Sequence, residues 1–420
     1  MKVLIVTTVE LPDFALHYGH SISIFSGWVW QSILELKKKS SDIEIGVLIS
    51  TNGIKYDSVK LNLVNYYAVS CISQYKYDHQ CEINCRAAIL DFNPDIIHIN
   101  GTEFAFSLCV LNASNNEIPV VASIQGLASV YSRYIDGGIK SKDFIINTGI
   151  KDLMLRGTQR YYRKLMIKRG IIEVELIKKL SYIIGRTTWD RYHAYSINPL
   201  VKYYFCNETL RPIFYTKRWT FDDCEKYSIF VSNGTSALKG IHIVIKAFCL
   251  VKSRFPKSML YIIGKDVFDD SNLKEILKRG AYQNYLRKLI VNLDLVDSIK
   301  FLGLLTEEEI CIQFLKANVF VLPSCIENSP NSLGEAQIIG TPAIASYSGG
   351  VPDMIEQGKT GFMYRFEEYE MLSQFIIEVF KSGDCNILSE NENNVASVRH
   401  NREVNSTQLY EIFKQIINKI

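Results

Sequence analysis

Residues 317–363, ANVFVLPSCIENSPNSLGEAQIIGTPAIASYSGGVPDMIEQGKTGFM, decide the fold. The apolar run Val319–Leu322 predicts a buried strand, and an amphipathic helix is predicted to begin at about Asn331. A second strand-like run, Pro342–Ala345, comes before a Gly349-Gly350 turn. Strands that alternate with helices are typical of a parallel sheet, so we predict an α/β protein.

Two glutamates lie in this stretch, Glu327 in the loop after the first strand and Glu335 in the first turns of the helix. In an open α/β sheet, ligands bind at the carboxyl ends of the strands, beside helix N-termini that attract anions. Carboxylates repel a phosphate, but they accept hydrogen bonds from sugar hydroxyls while backbone N–H groups hold the phosphate. The pattern therefore predicts a nucleotide-sugar site.

The frame P-S-x-x-E-x-x-P-N-S-x-x-E-A, which begins at Pro323, resembles the donor-binding signature of the family 4 retaining glycosyltransferases. That family has the GT-B architecture, in which two Rossmann-like domains face each other across a cleft. The resemblance implies that Glu327 is catalytic and contacts the hydroxyls of the donor sugar, and that Glu335 binds the nucleotide ribose. Three further residues of the frame are expected at the donor site: Asn331, Ser332 and Leu333.

The length of 420 residues favours two domains. We predict a Rossmann-like acceptor-side domain over residues 1–206 and a Rossmann-like donor domain over 207–400. Residues 401–420 form an amphipathic helix, which packs back on the first domain, as the family's architecture implies, or caps its own domain. The stretch GRTTWDRYHAYSINPLVKYYF, from Gly185, resembles the end of the acceptor-side domain in the bacterial surface-polysaccharide branch of the family.

Strand-like runs occur in two successive series, as two α/β domains require. The predicted strands are Val3–Thr7, Ile43–Ile49, Ile96–Asn100 and Pro119–Ile124 in the first series, and Ser228–Ser232, Leu260–Gly264, Ile299–Leu302, Val319–Leu322 and Ile344–Ala345 in the second.

The segment FVSNGTSALKGIHIVIKAF indicates how the donor diphosphate is held. Fixed positive potential at the leaving group accelerates the transfer because the negative charge grows there in the transition state. Lys239 resembles the family lysine that contacts the diphosphate, and we predict a catalytic role for it. Asn233 and Gly264 are predicted to line the same site. Most relatives have Gly-Arg at the strand end where this chain has Ser232-Asn233, so one cation is missing unless Arg211 or Lys265 replaces it.

Three residues of the first series are candidates for acceptor-side or sugar contacts. Gly27 resembles the glycine turn with which the family approaches its substrates, and Glu103 follows the strand that contains His98. Gln125 stands where many relatives have a histidine beside the donor sugar. A glutamine donates and accepts hydrogen bonds but is no general base, so it either contacts sugar or only completes a turn. His98 lies within an apolar run, which favours a core histidine over a catalytic one.

Residues 151–179 contain nine Lys and Arg against three acidic residues, whereas the whole chain carries a net charge of +3. Apolar and aromatic residues are interleaved with these charges. Such a basic helix fits an anionic membrane surface or a lipid-pyrophosphate acceptor. The alternative is a solvated helix face that packs on its own domain.

Composition narrows the remaining possibilities. The small net charge does not indicate a nucleic-acid partner. The ten cysteines form no C-x-x-C pair, which is typical of thiols in a reducing cytosol, and no apolar window is long enough to span a membrane. The seven histidines are scattered and no Asp-x-Asp follows a strand, so we expect neither a metal nor a cofactor. A UDP-sugar is favoured over a GDP-sugar as the donor.

Together with the composition, the resemblance implies a metal-independent retaining glycosyltransferase that extends a polysaccharide or lipid-linked oligosaccharide acceptor. We expect it in the cytoplasm, peripheral at the cell membrane. One alternative is a nucleotide-sugar 2-epimerase on the same fold, which requires acid and base residues that Gln125 does not supply. The other is a non-catalytic partner subunit that retains the nucleotide site, against which the intact frame from Glu327 to Glu335 argues.

Overall fold

The computed structural model describes residues 1–21, 27–40, 42–51, 53–71, 73, 75–154, 158–234, 236–382 and 385–419. The chain divides into two compact units. The first unit comprises Met1–Ser132, Leu165–Arg211 and His400–Ile420, and the second comprises Arg133–Lys164 and Pro212–Arg399.

The strands are β1 Lys2–Thr7, β2 Glu44–Thr51, β3 Tyr56–Leu61, β4 Val64–Ser70, β5 Ile96–Asn100, β6 Val120–Ser123, β7 Tyr182–Gly185, β8 Lys202–Phe205, β9 Glu225–Val231, β10 Met259–Ile262, β11 Ile299–Phe301, β12 Ala317–Leu322, β13 Ala343–Ser346 and β14 Phe362–Tyr364. The α-helices are α1 Pro12–His17, α2 Gly27–Lys39, α3 His79–Phe92, α4 Ala105–Ser114, α5 Ala128–Tyr131, α6 Ser141–Ile146, α7 Ile150–Met154, α8 Gln159–Lys179, α9 Thr188–Ile197, α10 Ile241–Arg254, α11 Leu273–Leu277, α12 Ala281–Asn292, α13 Glu307–Lys316, α14 Asn331–Ile339, α15 Tyr369–Lys381, α16 Cys385–Arg399 and α17 Arg402–Ile417.

The first unit is built on one sheet of eight strands in the order β3-β4-β2-β1-β5-β6-β7-β8. All neighbours pair in parallel except β3 and β4, which form an antiparallel hairpin. The hairpin turn places Asn62 and Leu63 at φ of 44° and 67°. Asn tolerates this left-handed conformation but Leu rarely adopts it. The two turn residues of a hairpin are usually of a type such as Asn-Gly, so the sequence at Asn62-Leu63 indicates the turn only through its Asn.

Two apolar layers cover the faces of this sheet. One includes Leu4, Ile97 and Leu108, and the other includes Val3, Ile45 and Ile96. Helix α17 completes the second layer with the buried side chains of Leu409 and Phe413. The amphipathic C-terminal helix therefore lies in the first unit, which is the arrangement that the GT-B resemblance implied.

The second unit is built on a six-stranded parallel sheet in the order β11-β10-β9-β12-β13-β14. Its chain starts at the centre with β9, runs outward to β11 and then returns to β12 on the other side of β9. In the first sheet, β1 and β5 have the same relationship. The order reverses between these central strands, and in open α/β sheets the carboxyl ends of such strands form the ligand crevice.

The division into units differs from the boundaries that we expected. Residues 207–211 and residue 400, expected in the second domain, belong to the first unit. Residues 133–164, expected in the first domain, belong to the second unit. Three hydrogen bonds attach this segment there: Gly137 O accepts from His242 Nε2 at 2.8 Å, Asn147 O from Asn284 Nδ2 at 3.0 Å, and Asp152 Oδ2 from Ala281 N at 2.6 Å. Each joins residues more than 100 positions apart, which no local sequence pattern indicates.

Among the helices of the described ranges, none has both the length and the apolarity that crossing a bilayer requires.

Candidate active site

The two central strands of the second sheet bring Lys239 and Glu327 together. Lys239 lies in the turn between β9 and α10, and Glu327 in the loop between β12 and α14. The Lys239 Nζ atom is 2.5 Å from Glu327 Oε1. The two side chains are 27% and 11% exposed, so the ion pair is accessible but largely shielded from water. Both predicted catalytic residues thus stand at the point where the strand order reverses.

The backbone joins the two loops independently of this ion pair. Cys325 N donates to Leu238 O at 2.9 Å. Gly240 has a φ of +70°, and a Cβ atom there would lie 1.9 Å from Pro323 O. Any other residue at this position would force the loops apart, so the packing of the Lys239 turn on the Pro-Ser end of β12 requires glycine at position 240.

The Gly-Gly-Val-Pro turn fixes the backbone of Glu327. Gly350 N donates to Glu327 O at 3.0 Å. A Cβ atom on Gly349, whose φ is +52°, would lie 1.8 Å from the same carbonyl oxygen. Next to it, Ser348 Oγ donates to Ser324 O at 3.1 Å. The conspicuous glycines of the signature therefore hold the loop that carries the carboxylate.

The other residues of the frame lie in α14. Glu335 is 4% exposed in the second turn, and Leu333 is fully buried. Asn331 and Ser332 form the first turn and are half-buried, so their side chains remain accessible at the N-terminal end of the helix. The structure thus places a buried carboxylate and two accessible polar residues in the first two turns.

Three glycine loops lie side by side at the carboxyl ends of β9, β10 and β11. Gly264, at φ +150°, exchanges two backbone hydrogen bonds with Gly303, at 3.0 and 3.1 Å. Gly234 N donates to Ile263 O, and a Cβ atom on Gly234 would lie 2.6 Å from the Ile262 side chain. The close packing at Gly234 therefore requires a small residue there. The neighbouring Asn233 is half-buried.

Asn233 stands where most relatives have an arginine, and Arg211 and Lys265 are the two residues that we considered as its replacement. Lys265 has another partner. Its ammonium group forms an ion pair with Glu275, which also pairs with Lys278 at 2.8 Å. Hydrogen bonds from both lysines lower the pKa of Glu275 to about 2. Arg211 is the last residue of the second segment of the first unit.

In the first unit, Gln125 belongs to a buried polar network rather than to a simple turn. Its Nε2 donates to Glu208 Oε1 at 2.8 Å, and its Oε1 accepts from Arg186 Nη2 at 3.0 Å. Arg186, which is 5% exposed, closes the triangle with an ion pair of 2.6 Å to Glu208. Gln125 therefore bridges a buried cation and anion, and both of its amide groups already have partners.

Glu103 lies in the loop after β5, against helix α8. Arg169 Nε donates to the backbone oxygen of Glu103 at 3.1 Å, and its guanidinium group lies 4.4 Å from the centre of the Phe104 ring. Burial raises the pKa of the Glu103 carboxyl group. In the described part of the chain, its Oε2 atom is buried without a hydrogen-bond partner. Glu103, which we predicted on the side of the glycan acceptor, therefore has a buried oxygen atom that is able to accept a further hydrogen bond.

Glu173 is a buried carboxylate that could not be recognised from the sequence. It is fully buried on α8 and accepts four hydrogen bonds: from Thr102 Oγ1, Ala128 N, Ser129 N and Ser129 Oγ, at 2.7–3.2 Å. Burial raises its pKa to about 7. Its sequence neighbourhood, a Lys- and Glu-rich helix, is typical of a solvated surface. Arg186 and Glu208 were also missed. Arg186 directly follows the last residue of β7, Gly185.

His98 is a core histidine, as the sequence pattern favoured. It is 4% exposed, its Nε2 atom is 2.7 Å from Ser123 Oγ, and its ring packs edge-on against Phe413. Burial lowers its pKa to about 4, so it is neutral near pH 7. A cavity of about 50 Å³ beside it is lined partly by Arg186 and Glu208. Gly27 is the first residue of α2, and residues 22–26 before it are outside the described ranges.

The basic segment 151–179 is not one helix but parts of two, α7 and α8, which have different partners. Arg163 forms an ion pair with Asp136, and Arg169 packs as described above, so neither is a free surface charge. Arg160, Lys164 and Lys168 are exposed. The Lys168 ammonium lies 5.3 Å from the centre of the Tyr75 ring. Leu155, Arg156 and Gly157 lie outside the described residues.

Within the described ranges, no cluster of three or more His, Cys, Asp or Glu side chains has an arrangement that could hold a metal ion.

Known structures share the fold of this chain. Sucrose-phosphate synthase from Thermosynechococcus elongatus superimposes with a TM-score of 0.72 at 14% identity, over 100% of both chains. HepE from Anabaena, in complex with UDP-glucose, superimposes with a TM-score of 0.67 at 15% identity, over 99% of this chain and 100% of HepE. The chain therefore has the GT-B fold of these glycosyltransferases.

Sequence comparison gives a narrower match within the second unit. Residues 214–395 match the family model described as glycosyl transferases group 1. The amylovoran biosynthesis glycosyltransferase AmsK of Erwinia amylovora is 27% identical over 119 residues, which are 27% of this chain and 29% of AmsK. The alignments with the curated relatives span only about a third of each relative's length. The part of the chain that the family model matches contains Lys239, Glu327 and Glu335.

Proposed function

We propose that this protein is a retaining glycosyltransferase of family 4 that transfers a sugar from a nucleotide-diphosphate sugar, preferably a UDP-sugar, to a glycan or lipid-linked glycan acceptor. The observation that carries the proposal is the Lys239–Glu327 pair at the reversal of strand order, on loops that share backbone contacts. The names of the relatives support the polysaccharide class of acceptor.

The geometry supports distinct roles for the two residues. An ammonium group has three N–H donors, so Lys239 can remain on Glu327 with one of them and still direct the others at a diphosphate. The carboxylate of Glu327 only accepts, and sugar hydroxyls supply donors. Lys239 and Glu327 would then hold the leaving group and the sugar on the two sides of the bond that breaks. Glu335 is proposed to bind the ribose hydroxyls.

The configuration of the anomeric carbon would be retained if the acceptor oxygen attacks it from the same face from which the leaving group departs. The bond between the anomeric carbon and the diphosphate oxygen breaks, the acceptor oxygen bonds to the same face, and the acceptor proton passes to the departing phosphate. No protein base is needed in this sequence, which is compatible with Gln125, whose amide is committed to Arg186 and Glu208. A 2-epimerase would need a proton donor and acceptor that this position does not provide.

We also propose that the transfer is metal-independent, and that the protein works in the cytoplasm at an anionic membrane surface. The exposed basic residues of α8 support the membrane part of this proposal. Turnover is expected to persist in excess chelator. A strict requirement for added Mg²⁺ or Mn²⁺ would overturn the metal-independent donor site.

Calorimetric titration with UDP, GDP and ADP tests the donor site. We expect UDP to bind most tightly, Glu335→Ala to weaken it at least tenfold, and Glu327→Gln to leave it nearly unchanged while turnover is lost. The tenfold estimate reflects a charged hydrogen bond of about 1.5–3 kcal/mol. Glu356→Gln, which removes a 62% exposed carboxylate of the same unit, is the matched control. Failure of all three nucleotides to bind would reject the proposed function.

A further inference from the structure

A pocket in the second unit lies beside the turn that carries Lys239. Its volume is about 420 Å³, within the range of small-molecule sites. The lining comes from the 137–143 segment, α10, α12 and the residues after β14: Gly137, Gly138, Ile139, Lys140, Lys142, Asp143, His242, Ile243, Lys246, Tyr285, Phe366, Glu367 and Tyr369. None of these residues belongs to the donor signature.

The pocket adjoins the turn that carries Lys239 on two sides. A Cβ atom on Gly137 would lie 2.2 Å from Ala237 O, and one on Gly240 would lie 2.9 Å from the Phe366 ring. Both walls of the pocket thus touch the Ala237–Gly240 turn directly. A ligand here would contact residues that pack against the turn that carries Lys239.

A neutral histidine fixes the floor of the pocket. His242 Nε2 is 2.8 Å from Gly137 O, and a carbonyl only accepts, so Nε2 carries the proton. Nδ1 then accepts from Tyr282 OH at 3.2 Å. Burial lowers the pKa of His242 to about 4, so the histidine brings no charge near pH 7. The positive charge of the pocket comes from its lysines.

Three lysines line the pocket, and none of them forms an ion pair within the described part of the chain. Lys140 and Lys142 are exposed, while Lys246 is half-buried with its ammonium 5.8 Å from the Tyr369 ring centre. Lysine is a common phosphate ligand because its ammonium is a compact point charge. The rings of Tyr285, Phe366 and Tyr369 add apolar surface, and the Asp143 carboxylate adds a hydrogen-bond acceptor for hydroxyl groups.

We propose that this pocket binds a phosphorylated saccharide, with the phosphate on Lys140, Lys142 and Lys246 and the sugar against the aromatic rings. That the saccharide is the acceptor of the transfer rests on the proposed function. The phosphate could belong to a free sugar phosphate or to a lipid-linked saccharide, since both present the same group. Exposed Ile145 and Ile146, on the helix that follows Lys140, are 73% and 68% exposed and favour the lipid-linked source.

Titration of the whole protein with glucose 1-phosphate, in the presence of saturating UDP, tests the pocket. We expect saturable binding that glucose alone does not reproduce and that the triple variant Lys140→Gln, Lys142→Gln, Lys246→Gln weakens at least tenfold. UDP affinity should be unchanged in this variant. Lys288→Gln, an exposed lysine on α12 outside the pocket, is the matched control and should bind like the wild type.

A second arm distinguishes the two sources. Phosphatidylcholine vesicles with and without a polyprenyl-phosphate glucose are sedimented with the wild type and the triple variant. Lysine-dependent sedimentation only with the glycolipid identifies the lipid-linked source, and binding of glucose 1-phosphate alone identifies the free one. If neither ligand binds, or if both bind the triple variant as tightly as the wild type, the pocket proposal is wrong. UDP binding in the same samples separates that result from failure of the proposed donor site.

Discussion

Lys239 and Glu327 lie 88 positions apart in the sequence, yet their Nζ and Oε1 atoms are 2.5 Å apart. The same two loops are joined by Cys325 N to Leu238 O and by the contact of Gly240 with Pro323. The backbone thus holds the ion pair in place. In the proposed transfer, this preorganisation spares the reaction the cost of gathering opposite charges at the moment of bond cleavage.

The pair should contribute measurable coupling to stability. Lys239→Met and Glu327→Gln are each expected to destabilise the second unit, with a coupling energy of about 1–3 kcal/mol, because each single variant leaves the other group without its partner in a shielded site. Chemical denaturation of the two single variants and the double variant measures the coupling.

The Lys359–Glu356 pair serves as the control for this cycle. Its side chains are 68% and 62% exposed, so its coupling energy should be close to zero. Equal coupling in both cycles would mean that the Lys239–Glu327 pair is no better shielded than a surface pair. Lys239→Met should also lower kcat more than it raises KM, since the charge on the diphosphate grows as the bond breaks.

Gly240 offers a test of the junction between the loops. Gly240→Ala must place a Cβ atom 1.9 Å from Pro323 O, so the two loops must separate. We expect a loss of several kcal/mol in the stability of the second unit and a loss of UDP affinity. The measurements are the unfolding free energy and calorimetric titration.

Gly358→Ala is the matched control, because Gly358 has a similar φ of +74° but nothing within 4 Å of its Cβ position. It should cost only the strain of the left-handed conformation, about 1–2 kcal/mol, and leave UDP binding intact. If both variants lose the same stability, backbone strain alone explains the requirement for glycine at position 240.

The fold and the segment that carries Glu327 and Glu335 could be predicted because the sequence patterns that indicate them are local. A strand such as Ile96–Asn100 is a short apolar run, and Glu327 and Glu335 stand in one contiguous frame. The pairing of Lys239 with Glu327 was not predicted, because it depends on the order of the strands in the sheet. Residues such as Glu173 and Arg186 could not be identified, because their burial depends on partners from distant segments. The transfer of residues 133–164 to the second unit has the same cause.

The buried histidine of the second unit predicts a pH dependence. The pKa of His242 is lowered to about 4, whereas an unfolded histidine titrates near 6.5. Between these values the unfolded chain binds a proton that the folded chain does not, so stability falls as the pH falls from 6.5 to 4, by about 3 kcal/mol in total. In His242→Gln, which keeps a donor for Gly137 O, this part of the slope should disappear.

Denaturation of the second unit at pH 7.0, 6.0 and 5.0 checks the slope. His79→Gln removes an exposed histidine and should leave it unchanged. A wild-type slope that persists in His242→Gln would show that His242 does not carry the proton-linked destabilisation.

The last prediction concerns the exposed basic residues of α8. The test leaves Arg163 and Arg169 in place, because both have structural partners. It replaces Arg160, Lys164 and Lys168 with Gln, and the last change also removes a cation–π contact with Tyr75. Each basic residue near an anionic surface contributes about 1 kcal/mol, so this variant should bind phosphatidylserine vesicles roughly 100-fold more weakly than the wild type. Binding of the wild type should also weaken between 0.1 M and 1 M salt, as the Debye length shortens from about 10 Å to about 3 Å. The control replaces Lys300, Lys359 and Lys381, three exposed lysines on other elements, with Gln. Co-sedimentation of the three proteins decides the matter: equal loss in both variants indicates a general charge effect, and no sedimentation of the wild type at low salt removes the membrane proposal.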